Sequence, residues 1–145
     1  MTSRERIVVG GDTTPSATAA LRWAVGEAAR NPQCSVLVVH AFDVEGRADL
    51  ALERDLDRSR RDARYRTQSW VVEVLAELEP AVSVLVQTPD ASIEDALVDA
   101  SRNATMVVIG EPHNGHRRDL AERLSERCTC PVVTVGVGQT PALAG

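Results

Sequence analysis

The sequence predicts an open, doubly wound α/β domain with a five-stranded parallel sheet and helices on both faces, and three observations carry that expectation. Five short runs rich in β-branched residues recur along the chain, at Ile7 to Gly11, Ser35 to Ala41, Val82 to Gln87, Thr105 to Gly110 and Pro131 to Val137. Each is nearly continuous in apolar residues rather than alternating, the pattern of strands buried on both faces. Between them lie stretches of helical periodicity, and this strict alternation of strand and helix with short connections favours right-handed crossovers and a doubly wound sheet. At 145 residues the chain is one domain, since roughly 150 residues per domain is the working prior. The domain is expected over 1–138, with 139–145 as a flexible tail containing Pro141 and Gly145.

Taken in order, the first strand ends in Gly10-Gly11-Asp12, and the following stripe Ala17, Leu21, Ala24, Val25, Ala28 marks a helix with one apolar face. The second strand ends at His40-Ala41. The segment from Arg47 to Leu78 is the longest and most charged; Arg and Asp dominate Arg54 to Arg64 before the apolar set Trp70, Val71, Val74, Leu75 and Leu78, so its first half is expected to be solvated and its second half packed. The third strand ends at Gln87, ahead of Thr88-Pro89-Asp90, and Ile93, Ala96, Leu97 and Ala100 repeat the helical stripe. The fourth strand ends at Gly110, and a last helix leads through Cys128 and Cys130 into the fifth. Ligands in such sheets bind beyond the carboxyl ends of the strands, so these endings are where function is sought.

Composition removes many chemistries. Sixteen basic residues against twenty-one acidic give a formal charge of −5, which argues against a nucleic-acid or anionic-membrane binder. All sixteen are Arg, and with no Lys the phosphate-loop lysine, the Schiff base and the lysine general base are excluded. Cys34, Cys128 and Cys130 are too few and too irregular for a disulfide framework, and no signal-like segment opens the chain, so reduced thiols and a cytosolic setting are expected. No apolar run approaches the roughly 20 residues of a membrane span. The first turn lacks the G-x-G-x-x-G of a dinucleotide site. A phosphoacceptor receiver would need clustered acids after strand one, an Asp after strand three and a Lys after strand four, which this chain does not supply.

Several residues can be read two ways. Asp12 stands either as a carboxylate for an adenine amine, a ribose or a metal, or as part of a helix cap with Thr13, Thr14 and Ser16. The loop Gly110 to Asp119 gathers His113, His116, Arg117 and Arg118 just before a helix, either as a phosphate site or as a solvated polar loop. Two histidines three apart lack the further ligands of a zinc site, so no metal is expected. Cys128 and Cys130 form a C-x-C, a poor redox motif beside C-x-x-C, and read as buried, inert thiols. His40 reads as a hydrogen-bonded core histidine, and Trp23 and Trp70 as core.

In order along the chain, Ile-Val-Val-Gly-Gly-Asp12 with Ser16 and Ala-Leu-Arg-Trp-Ala, Val-Val-His40-Ala, Pro89 with Ile93, Met-Val-Val-Ile-Gly110, and Ala-Glu-Arg123-Leu leading into Cys130-Pro-Val-Val resemble the universal stress protein family. The resemblance covers nearly the whole chain. It implies strand order 3-2-1-4-5, a homodimer through strand five, and a non-enzymatic role in a stress response through partner contact. Nucleotide-binding members carry an Asp after strand one, a small residue after the strand-two His, and a glycine-rich phosphate loop after strand four. Asp12, Ala41 and Gly110 match that pattern. His113 stands at the second glycine of the loop motif, Arg118-Asp119 at its Gly-Ser pair, and the loop is shorter; Thr13, Gln87 and Thr105 depart as well. Bulk at those glycines removes a bare-backbone phosphate cradle. The expectation is therefore a degenerate ATP site with no tightly bound cofactor, ATP or AMP being the ligands the resemblance admits. The alternative is an adenine-nucleotide sensor in which basic side chains replace the cradle, through Gly11, Asp12, Ala41, Gly110, His113, Gly115, Arg117 and Arg118.

Overall fold

A computed structural model describes residues 5–12, 14–31, 33–41, 53–78, 82–111, 118–138 and 141–143. The elements alternate as the periodicity predicts: β1 (Glu5–Gly10), α1 (Pro15–Ala29), β2 (Cys34–Val39), α2 (Glu53–Leu78), β3 (Val84–Gln87), α3 (Ile93–Ser101), β4 (Met106–Gly110), α4 (Arg118–Arg127), β5 (Val132–Val135) and β6 (Ala142–Leu143). The strands lie in the order β3-β2-β1-β4-β5-β6, and the first five neighbours run parallel. Register places Ile7 beside Val36 and Val8 beside both Leu37 and Val107, so apolar side chains align in rows across the sheet.

Both faces of the central strands are buried, which is why those strands read as continuous apolar runs. Ile7, Val9, Val36, Val38 and Val108 face α1 and α2, where Leu21, Ala24, Val25, Trp70 and Val74 close over them. Val8, Leu37, Val39, Val107 and Ile109 face the opposite side, where Leu97 and Leu124 of α3 and α4 cover them. β3 departs from this pattern, since Leu85 is 51% exposed. It is the outermost strand on its side of the sheet, and its residues alternate between half-buried and exposed.

Two further differences from the sequence reading have physical causes. The sheet holds six strands rather than five, because Ala142 and Leu143, within the stretch 139–145 expected as a flexible tail, turn back and pair antiparallel with Thr134 and Val133. Val133 and Val135 of β5 are buried in the cluster with α1. The charged segment before Trp70 is also helical, in one 26-residue element. Arg58, Arg61, Arg64 and Arg66 are exposed as expected, yet Ala63 and Thr67 between them are buried, so packing begins two turns before Trp70. At 1.5 Å per residue the helix is about 39 Å long, roughly twice the length of a six-residue strand. An ion pair from Arg60 to Asp90 ties its upper half to the turn after β3.

Trp70 joins the helices of this layer. Its indole N–H donates to Thr18 Oγ1 at 2.9 Å, and Thr18 in turn donates to the Thr14 carbonyl at 3.1 Å, so α2 is tied to the first turn of α1. The ring lies over Gly11, where an added Cβ would stand 3.1 Å from it and 2.9 Å from Val38. Trp70→Phe keeps the aromatic packing and loses the bond, so it is expected to lower unfolding free energy by about 1 kcal/mol, against about 3–5 kcal/mol for Trp70→Ala, measured by urea denaturation.

The three cysteines are free thiols. Burial pushes the Cys34 thiol up, helped by the negative charge of Glu5, and burial likewise raises Cys130, with Cys128 adding to it. A raised thiol pKa means less thiolate at a given pH. At pH near 8 Cys34 and Cys130 are therefore expected to alkylate more slowly than a free cysteine, which peptide mass spectrometry over a time course would read directly.

Candidate functional site

The chain runs β1 to β2 to β3 outward on one side and then crosses back to place β4 on the other side of β1. That reversal opens a crevice between the carboxyl ends of β1 and β4, the place where ligands bind in open α/β sheets. A cavity of about 230 Å³ occupies it. Gly10, Gly11 and Asp12 from the end of β1, Ser16 and Ala17 from α1, His40 and Ala41 after β2, Ile93 and Leu97 from α3, Ile109 and Gly110 from β4, and Leu120 from α4 form its walls.

The first turn of α1 supplies the polar edge. Asp12 Oδ1 accepts from the Thr14 backbone N–H at 3.1 Å and from the Thr14 hydroxyl at 2.5 Å. Thr14, in extended conformation, is the N-cap and accepts from the Ala17 N–H at 3.2 Å, with Pro15 at the first helical position, where its missing N–H costs nothing. Because the single hydroxyl proton of Thr14 goes to Asp12, the 3.3 Å contact between Thr14 and Ser16 is one in which Ser16 donates. Asp12 thus takes the capping role that was one of its two sequence readings, and the chain Asp12-Thr14-Ser16 ends with a buried Ser16 on the crevice wall.

His40 sits across the same edge. Its Nδ1 lies 2.6 Å from the Gly11 carbonyl oxygen, which can only accept, so Nδ1 carries a proton and donates. Its backbone N–H donates to Gln87 at 2.9 Å. His40 is therefore hydrogen-bonded, as the sequence suggests, and it also lines the crevice, which a core reading does not anticipate.

Gly110 is required by a close approach. A Cβ there would stand 2.6 Å from the Ser16 carbonyl carbon and 2.7 Å from the Ala17 nitrogen, both backbone atoms of α1 that no rotamer change can move. Its glycine character is thus explained by packing of β4 on α1, whatever the crevice holds.

Of the eight residues proposed from sequence, Gly11, Asp12, Ala41 and Gly110 converge on this crevice. Arg118 is the first residue of α4. His113, Gly115 and Arg117 lie outside the described residues, as does the side chain of Arg118. The apolar walls from Ile93, Leu97, Ile109 and Leu120 were not singled out, since their helical and strand periodicity reads equally as core. Ser16 and His40 carried a usable signal, each a polar residue at the carboxyl edge of the sheet. Among the described residues no cluster of His, Cys, Asp or Glu could hold a metal ion, and no helix is long and apolar enough to cross a membrane.

Strand order, parallel pairing and a crevice at the switch point define a doubly wound α/β domain of the nucleotide-binding type. The universal stress protein family pattern matches residues 3–136, and the chain belongs to that family. Among solved structures it is similar to the universal stress protein from Archaeoglobus fulgidus in complex with dAMP, at 25% identity over 92% of this chain and 99% of that one, with a TM-score of 0.64. It is also similar to a family protein from Arabidopsis thaliana with AMP bound, at 14% identity over 91% of both chains and a TM-score of 0.63. A universal stress protein in complex with cAMP matches at 16% identity over 94% of this chain and 99% of that one, TM-score 0.64. No curated protein matches the sequence significantly.

Gly110→Ala is expected to destabilise by about 1–3 kcal/mol or more, since a Cβ must displace helix backbone. A thermal melt would check it; an unchanged melting temperature would show that β4 and α1 have room between them.

Proposed function

We propose that this chain is a non-enzymatic stress-response domain of the cytosol that takes an adenine nucleoside monophosphate reversibly in the crevice between β1 and β4, without a permanently held triphosphate. One observation carries the reading: a cavity of about 230 Å³ at the switch point, apolar on its walls and polar along the first turn of α1. That volume is small beside the roughly 300–1,000 Å³ of sites that enclose drug-sized ligands, and with its apolar walls and polar edge it supports a small ligand with an apolar ring, such as a nucleoside. Ala17, Ala41, Ile93, Leu97 and Ile109 offer surfaces for a purine ring, and Asp12, Ser16 and His40 stand at its edge.

The sequence beyond Gly110 supports the distinction between mono- and triphosphate, because His113 and Arg118 replace glycines that the family's phosphate loop uses. Relatives in complex with AMP, dAMP and cAMP support the adenine monophosphate class. The polar groups of the crevice support a binding rather than catalytic role: Asp12 and the Thr14 hydroxyl are engaged in the α1 cap, and His40 is engaged on the Gly11 carbonyl. The domain acts, on this reading, as a homodimer through the β5 side of the sheet. An open groove between α1 and β5 favours that, with Val137 at its rim 56% exposed.

Calorimetric titration tests the reading. AMP is expected to bind at one site per chain, ATP no more tightly than AMP, and Ala41→Phe to abolish binding while circular dichroism stays unchanged. ATP co-purifying in molar equivalence, or turnover of ATP to ADP, would refute it.

A further inference from the structure

β5 is the last full strand on its side of the sheet, and its outer edge would present unpaired N–H and C=O groups. In this chain that edge is partly covered by the chain itself. Ala142 pairs with Thr134 and Leu143 with Val133, and the Thr134 hydroxyl donates to the Ala142 carbonyl at 3.3 Å. Continuing the same register sets Pro141 opposite Val135, and Pro has no N–H to donate. The cover therefore stops partway along a four-residue strand.

Little holds that cover in place. Leu143 is 73% exposed and Ala142 is exposed too, so neither brings an apolar side chain into the core. Gly138, between β5 and β6, has a φ of +70°, a conformation other residues seldom adopt. A two-residue ladder without a buried face is marginal by itself.

We infer that β6 is a detachable cap on the β5 edge, and that what displaces it is the β5 edge of a second copy of this chain, so β6 sets how readily the protein dimerises. Resting on the dimeric reading above, it specifies how that contact is regulated. Two observations favour a second copy as the occupant. β6 runs antiparallel to β5, which shows that the outer edge accepts a strand in the direction a twofold-related β5 would take, since a twofold axis across a sheet edge makes the paired strands antiparallel. Beside the edge, Trp23, Val135, Val137 and Pro141 line the groove against α1, so the apolar surface that a second copy would cover continues past the point where β6 ends.

The cap acts as an intramolecular competitor. Only the fraction of chains with the edge uncovered can pair, and the apparent dissociation constant rises as that fraction falls, once for each protomer. Shortening the chain removes the competitor without touching a buried side chain.

Sedimentation velocity across a micromolar concentration series compares the full chain, a chain ending at Gly138, and the full-length variants Gly138→Val and Thr134→Val, with thermal melts confirming that each is folded. The shortened chain is expected to dimerise at least about tenfold more tightly than the full chain, with both full-length variants shifted the same way. Equal dimerisation of the shortened and full chains would overturn the cap and leave the dimeric reading standing. Weaker dimerisation of the shortened chain would also overturn it, by making the tail part of the interface. A shortened chain that stays monomeric while melting like the full chain would overturn the cap together with the dimer through β5.

Discussion

The end of β4 passes so close to the first turn of α1 that only a glycine fits between them, and much of the molecule depends on that contact. Gly110 lets the strand backbone lie against the backbone of Ser16 and Ala17. Without it α1 would be lifted from the sheet, and its alanine-rich face, which needs close approach to bury Ala17, Ala20, Ala24 and Ala28, would lose its seat. The same contact holds two walls of the crevice together, because Ser16 and Ala17 line it from one side and Ile109 and Gly110 from the other. Packing and the geometry of the site are therefore one constraint.

From that turn, hydrogen bonds run outward in two directions. One passes from Asp12 through Thr14 to Ser16 and keeps the cap of α1 facing the crevice. The other passes from the Thr14 carbonyl through Thr18 to Trp70 and fixes α2 over Gly11. His40 closes the arrangement by bonding the Gly11 carbonyl from the neighbouring strand. Each link uses a short polar side chain whose donors and acceptors are matched, which is what a half-buried polar network needs to be favourable. The opposite layer is tied differently, by ion pairs from Arg123 and Arg127 of α4 to Glu94 and from Arg127 to Asp95 on α3. These are partly exposed, so the apolar contacts of Leu97 and Leu124 beneath them carry most of the packing there.

On the proposed reading, the crevice supplies the half of a nucleotide site that apolar walls and glycines build, whereas the sequence beyond Gly110 departs from the family motif in the half that would hold phosphates. The two halves rest on different physics. Apolar walls come from residues the core needs in any case, such as Leu97 and Ile109, so they persist without regard to a ligand. A phosphate cradle needs small residues at positions that stability does not demand, and His113 and Arg118 stand there instead.

The order of strands and helices, the two-faced burial of the sheet and the position of the crevice were legible in the sequence, because continuous apolar runs and i, i+4 stripes are local consequences of burial on both faces. Asp12, Ala41 and Gly110 could be placed at the site for the same reason, each standing where a predicted strand ends. Of what those residues touch, only the place of Asp12 in the α1 cap, two residues from Thr14, was legible. That Gly110 is glycine because of Ser16 and that His40 turns onto Gly11 are contacts between chain segments, and spacing along the sequence carries no information about their distance. The sixth strand was hidden too, since two residues after a proline have no periodicity to read, and only the position of the β5 edge makes a strand of Ala142 and Leu143. Local pattern determined which segments fold and how; tertiary structure decided which side chains meet, because that is settled by how the elements pack on one another.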